Sequence, residues 1–186
     1  MIGYAFCGSH CTLSASLKQL EAICATGREV LPILSENVWT TDTRFWRASD
    51  FRTRVEEITG HLAVHTIVDA EPLGPATPLE ALVIAPCTGN TLAKLAHGIT
   101  DTAVCMAAKA HLRSDRPLLI ALASNDAMSA NLDNIAALLR RKAVYFVPLR
   151  QDDPEAKPHS LVADFTLIPD ALSAAEQGKQ LRPLFA

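Results

Sequence analysis

A chain of 186 residues, 49% hydrophobic but only 5% aromatic, is long enough for one domain with a substantial core. Its net charge of −3 argues against a nucleic-acid binder, and no apolar run reaches membrane-spanning length. Residues 1–6 lack a basic flank and meet a polar turn at once, so they do not read as a signal peptide, and the cytoplasm is the expected location.

Residues 2–6 predict a first strand, followed by the turn Gly8-Ser9-His10. A helix begins near Thr12, because Leu13, Leu17, Leu20 and Cys24 recur at helical spacing, and Gly27 stands where a C-cap is expected. A second strand is predicted over 29–34, with Pro32 demanding an edge position or a bulge. A polar loop over 35–42 leads to a charged helix over 43–58, ended by Gly60. Residues 64–68 are a candidate third strand, whereas the prolines of 71–78 exclude regular structure there. The apolar run 82–85 predicts a strand, and 90–98 a helix with Leu92, Leu95, Ala96 and Ile99 facing inward. Another helix is expected over 101–112, with Asp101 at its positive end. Residues 118–123 read as a fully apolar strand closed by the turn Ser124-Asn125-Asp126. Leu132, Ile135 and Leu139 mark the next helix, and 144–147 the last clear strand. From Pro148 the composition shifts to a polar loop over 151–159 and a tail with one or two short helices. The β-α alternation predicts a three-layer α/β fold with a doubly wound parallel sheet, flavodoxin-like or Rossmann-like. It forms a single domain over 1–186, with its core in 1–148 and a C-terminal loop and short helices in 149–186.

The cysteines Cys7, Cys11, Cys24, Cys87 and Cys105 are odd in number and fall mostly at predicted core positions, which argues for reduced thiols rather than a disulfide framework. Cys7 and Cys11 have no accompanying Cys/His pair, so no metal site is expected.

In a parallel sheet the strand-to-helix turns open on one edge, where ligands bind. Three such turns carry polar groups: Gly8-Ser9-His10, Ser35-Glu36-Asn37, and the run from Pro86 to Thr91; Ser124-Asn125-Asp126 is a fourth. Gly8 lets a backbone approach a phosphate, and Ser9 offers a hydroxyl. His10 meets either a phosphate or solvent. Neither a G-x-G-x-x-G fingerprint nor a P-loop is present. Each turn alone has a simpler reading as a helix cap. Thr88, Asn90 and Thr91 in one turn, with others on the same edge, favour a mononucleotide site. Cys87 stands at a helix N-terminus, which lowers a thiol pKa; its simpler role is a small residue beside a ligand ring. Lys109 and Arg113, one turn apart, are either dicarboxylate ligands or solvated helix charges.

Pro86-Cys87-Thr88-Gly89-Asn90-Thr91 resembles the P-A-S-A-N-T motif of the homo-oligomeric flavin-containing cysteine decarboxylase superfamily. The run 121–128 resembles its A-P-x-M-N-x-x-M block, with Asn125 and Met128 matching, while Gly89 and Ser124 depart from the consensus. Within that superfamily the chain is similar above all to the flavoprotein-like B subunits of dipicolinate synthases. The shared blocks lie at 70–75, 85–91, 106–110, 124–126, 145–148 and 151–154. This resemblance implies FMN, its phosphate held by Gly8, Ser9, His10 and Ser35 and its ring by Pro86, Cys87, Thr88, Asn90 and Thr91, with Asn125 the candidate catalytic residue. It implies a role in oxidising dihydrodipicolinate to dipicolinate during sporulation. The partner is then a nicotinamide-binding A subunit that carries NAD(P), and the chain is a homo-oligomer, trimeric or dodecameric. The superfamily also holds flavin-dependent decarboxylases, prenyltransferases and, as a third option, a non-catalytic assembly subunit with a vestigial pocket. The decarboxylases place a histidine about a dozen residues before P-A-S-A-N-T; here that stretch is proline-rich, and His65, further upstream, reads as a strand residue satisfied by its neighbours.

Overall fold

Short apolar runs with scarcely a polar side chain between them are buried only if both faces of the sheet are covered. The computed structural model, which describes residues 1–185, builds its sheet from such runs. Strand β1 (Ile2–Phe6) pairs in parallel with β2 (Val30–Leu34) on one side and β3 (Leu82–Cys87) on the other. Strands β4 (Leu118–Ser124) and β5 (Val144–Phe146) continue the parallel array, giving the order β2-β1-β3-β4-β5. Every residue of β1 and β3 is buried.

Helix α1 (Leu13–Ala25) leads from β1 to β2; α2 (Glu36–Thr40), α3 (Ala48–Thr59) and α4 (Ile67–Ala70) lead on to β3. Helices α5 (Gly89–His97) and α6 (Ala103–Leu112) connect β3 to β4, α7 (Leu132–Leu139) connects β4 to β5, and α8 (Ile168–Glu176) is the last helix. Helices α3, α1 and α8 pack together on one face, and α4, α6, α5 and α7 on the other. The three layers expected from the sequence are therefore present, among the described residues with seven strands and eight α-helices. The strand order reverses direction between β1 and β3, so the turns after these two strands diverge and leave a crevice at their carboxyl ends.

The local signals explain most boundaries. Gly27, Gly60 and Gly98 all hold positive φ at helix ends, where a side chain is disfavoured. Pro32 sits in β2, the last strand of the parallel array. Helix α5 is amphipathic, and Thr88 caps it by accepting from the Thr91 N–H at 3.2 Å.

Several expectations need correction. The strand predicted over 64–68 shrinks to a single bridge between Ile33 and Val64, because Thr66 caps α4 instead, accepting from the Asp69 N–H at 3.1 Å. Part of the polar loop over 35–42 is helical, as α2. The charged helix starts at Ala48, whose N–H donates to Asp42 Oδ1 at 2.9 Å. Ile99 falls beyond the Gly98 cap and is 46% exposed rather than inward-facing, and Leu132 is also exposed.

The largest correction concerns the tail. Strands β6 (Leu149–Gln151) and β7 (Leu161–Ala163) pair antiparallel, and β7 pairs antiparallel with the end of β4 through Ala123 and Ser124. The sheet is thus mixed, a parallel core extended by two antiparallel strands. Three-residue strands are too short to show a period of two, and a proline-containing loop separates them.

Candidate functional site

At the carboxyl edge of the sheet a cleft of about 770 Å³ opens between the turns after β1, β3 and β4. Gly8, Ser9 and His10 come from the first turn, Thr88 and Gly89 from the second, and Ser124 and Asn125 from the third. Sequence positions as far apart as Gly8 and Asn125 converge here because all three strands run in the same direction.

A chain of contacts sets the first two turns against each other. The Cys7 N–H donates to Pro86 O at 3.1 Å, and the Thr91 hydroxyl donates to Cys7 Sγ at 3.4 Å. The Ser16 hydroxyl of α1 donates to Ala85 O at 2.5 Å, which ties the end of β3 to the opposite helical layer. The Tyr4 hydroxyl completes this cluster at 3.0 Å from Ser16 Oγ, and burial raises its pKa. Pro86, Cys87 and Thr91 are buried in this scaffold rather than on the cleft wall, and Asn90 is exposed on α5. The helix N-terminus does not activate Cys87. Burial raises its thiol pKa well above the ordinary value, opposite to the direction its position alone suggests, and burial likewise pushes Cys7 up to about 12. Both thiols are therefore protonated and inert near neutrality.

At the Gly8 end of the cleft the turns after β1 and β2 meet. The Ser9 N–H is taken by Cys7 O at 2.8 Å, while its hydroxyl lies 3.0 Å from that of Thr12. Ser35 lies on the neighbouring turn; a Cβ at Gly8 would stand 3.2 Å from Asn37 Cβ, so the two turns touch. Ser35 Oγ is buried with no hydrogen-bond partner. An unsatisfied buried hydroxyl costs about 1–3 kcal/mol, a cost that an incoming acceptor would offset.

The two departures from the flavin consensus meet in space. Asp126 accepts from the Ser124 hydroxyl and, at 2.9 Å, from Asn131 Nδ2. The Ser124 bond, with that of Asn131, holds the Asp126 carboxyl below its ordinary pKa. This cluster presses on Gly89: a Cβ there would overlap Ser124 Oγ and lie 2.7 Å from Asn131 Nδ2 and 2.9 Å from Asp126 Oδ1. Glycine at position 89 is what lets the third turn, with Asn125, close against the second.

Two sets of lining residues were not singled out from the sequence. Arg44 and Phe45, before α3, border the cleft, with the Arg44 guanidinium 4.8 Å from the Phe45 ring centre. The C-terminal arm supplies Asp152, Lys157, Ser160, Leu161 and Val162. Lys157 Nζ pairs with Asp152 at 2.5 Å, which raises its pKa. The block 151–154 was a sequence signal for this arm, but nothing local tied it to the sheet edge. His65 stacks on Trp39 with ring centres 3.7 Å apart and does not line the cleft.

A family model described as Flavoprotein matches residues 14–167. The chain belongs to the flavoprotein family. It is 43% identical to the B subunit of dipicolinate synthase from Bacillus subtilis (strain 168) over 183 residues, 98% of this chain and 92% of that protein. A crystal structure of the dipicolinate synthase B subunit from Bacillus halodurans C superposes with a TM-score of 0.92 at 41% identity, covering 100% of this chain and 95% of the other. The FMN-dependent cysteine decarboxylase SpaF shares the fold, with a TM-score of 0.69 at 24% identity over 94% of this chain and 95% of that one. Within the flavoprotein family, then, this chain groups with the dipicolinate synthase B subunits.

Proposed function

We propose that this chain is the FMN-binding B subunit of a dipicolinate synthase. It acts in the cytoplasm of a sporulating cell beside an A subunit that holds NAD(P), in the oxidation of dihydrodipicolinate to dipicolinate. The observation that carries the flavin reading is the carboxyl-edge cleft, where Gly8, Ser9, His10, Thr88 and Asn125 converge; the turn that touches Gly8 also carries the orphaned Ser35 hydroxyl. The substrate follows from the kinship with the B subunits.

Gly8 admits the phosphate close to the backbone, and the Ser9 and Ser35 hydroxyls donate to it. His10 adds an imidazole at the same end. Thr88 and the turn it caps bound the ring, with Pro86, Cys87, Asn90 and Thr91 fixing the shape of that turn. Asn125 approaches the reacting edge and holds it by amide hydrogen bonds. Arg44 supplies positive charge for a dicarboxylate, Lys157 adds an ammonium donor from its pair with Asp152, and Leu161 and Val162 keep water from that side. FMN supplies a two-electron acceptor when bound. Aromatising the dihydropyridine ring removes two electrons and two protons.

The test is an oxidation assay with the A subunit, with and without this chain and with and without FMN. Full rate requires both additions, and Ser35→Ala weakens FMN binding about tenfold in a fluorescence titration. An A subunit that reaches the same rate alone overturns the reading. A colourless chain that binds the A subunit but no FMN assigns it an assembly role.

A further inference from the structure

A second cavity of about 410 Å³ lies at the far end of α5. Gly89 at one end of this helix borders the flavin cleft, and Leu95 and Gly98 at the other border the second cavity. The two are separated by about 12 Å, at about 1.5 Å of rise per helical residue. The floor is apolar, from Leu95, Ile99 and Leu112. Gly98 ends the helix with positive φ and leaves open space beside it, which keeps the floor uncovered.

Three cations surround this floor: Lys109 and Arg113, one turn apart along α6 and just past its end, and Arg141 just after α7. None of the three forms an ion pair among the described residues. Arg141 is oriented by donating from Nη1 to Leu95 O at 3.3 Å, which leaves its other N–H groups unspent. The nearby Asp101 is neutralised by Lys94 at 2.8 Å. Glu71 lines a smaller hollow with Lys109 and Arg113 and pairs with neither. Among the described residues no carboxylate lines the cavity itself. All three are exposed, and in a chain of net charge −3 this rim is a local concentration of unpaired positive charge that attracts an anion.

We propose that this cavity binds a small aromatic or heteroaromatic dicarboxylate, its ring on the Leu95–Ile99–Leu112 floor and its carboxylates on the Arg141 and Lys109–Arg113 sides. A guanidinium matches a carboxylate in two parallel hydrogen bonds, and an apolar floor selects a ring over a bare anion. The choice of dicarboxylate rests on the reading above, whose product, pyridine-2,6-dicarboxylate, belongs to this class. The site is then a second product site, joined to the flavin cleft by one helix.

The experiment is equilibrium dialysis of the FMN-saturated chain with pyridine-2,6-dicarboxylate, with benzoate and inorganic phosphate as competing probes. The double variant Lys109→Ala/Arg113→Ala and the single variant Arg141→Ala should each weaken this binding at least tenfold and leave FMN affinity unchanged. Arg44→Ala serves as the background for these measurements: it weakens dicarboxylate binding in the cleft and should leave binding at the second cavity intact, where benzoate and phosphate should compete at least tenfold less well. Binding untouched by the α6 and Arg141 variants overturns the proposal, as do phosphate competing equally and the absence of binding at millimolar ligand. Altered oligomer mass of these variants by light scattering also overturns it, since the face is then a contact between copies. Dicarboxylate binding without any FMN binding keeps the site and overturns the flavin reading; normal FMN-dependent oxidation without this binding does the reverse.

Discussion

The parallel core and the C-terminal arm contribute to the same cleft by different physics. In the core, β1 and β3 are buried along their whole length, the end of β3 is tied to α1 through Ser16, and Thr91 of α5 ties the first turn to the second. In the arm, β6 and β7 are three residues each, and the chain is exposed from Arg150 in β6 through the loop to His159. The core therefore fixes where the turns stand. The arm, tethered to β4 through Ala123 and Ser124, brings a charged pair and an apolar wall to a site it did little to build. Stability and recognition should consequently be separable by mutation.

The largest effect is expected in the core. Ile84→Ala, at a fully buried position of β3, should cost about 2–5 kcal/mol in denaturant unfolding, and flavin affinity should fall with it. Gly89→Ala joins the two turns in the wrong way. The forced contact with Ser124, Asp126 and Asn131 should cost about 1–3 kcal/mol and displace Asn125. Adding Ser124→Ala should recover part of both stability and FMN affinity. A double-mutant cycle with no coupling would separate Gly89 from this cluster.

A third measurement probes the core through pH. His111 is buried in α6, with Nε2 donating to Pro117 O at 2.9 Å and Nδ1 buried without a partner. Burial lowers its pKa, so the unfolded chain binds the proton more readily. Its contribution is fully present above the unfolded value of about 6.5 and is lost as pH falls from there to the lowered native value. Melting midpoints should drop between pH 7 and 5, and less steeply in His111→Gln.

The smallest structural effect belongs to the arm. Lys157→Ala should leave the melting midpoint unchanged and weaken binding of the ligand carboxylates several-fold, more so at low ionic strength. A stability loss comparable to that of Ile84→Ala would erase the contrast between the two regions.

The sequence alone determined the parallel core. Runs such as 82–85 and 118–123 are apolar throughout, and glycines at 27 and 60 end their helices, because burial pattern and backbone freedom are local properties. Gly8, Ser9, His10, Thr88 and Asn125 were legible as members of one edge for the same reason: parallel strands send their turns the same way. Only the tertiary structure decided that Pro86, Cys87 and Thr91 support the site from inside, that burial outweighs the helix end at Cys87, and that Gly89 answers Ser124. It also decided that the tail returns as strands to wall the cleft. These depend on contacts between residues far apart in the chain, where desolvation and steric exclusion act and no local pattern registers them.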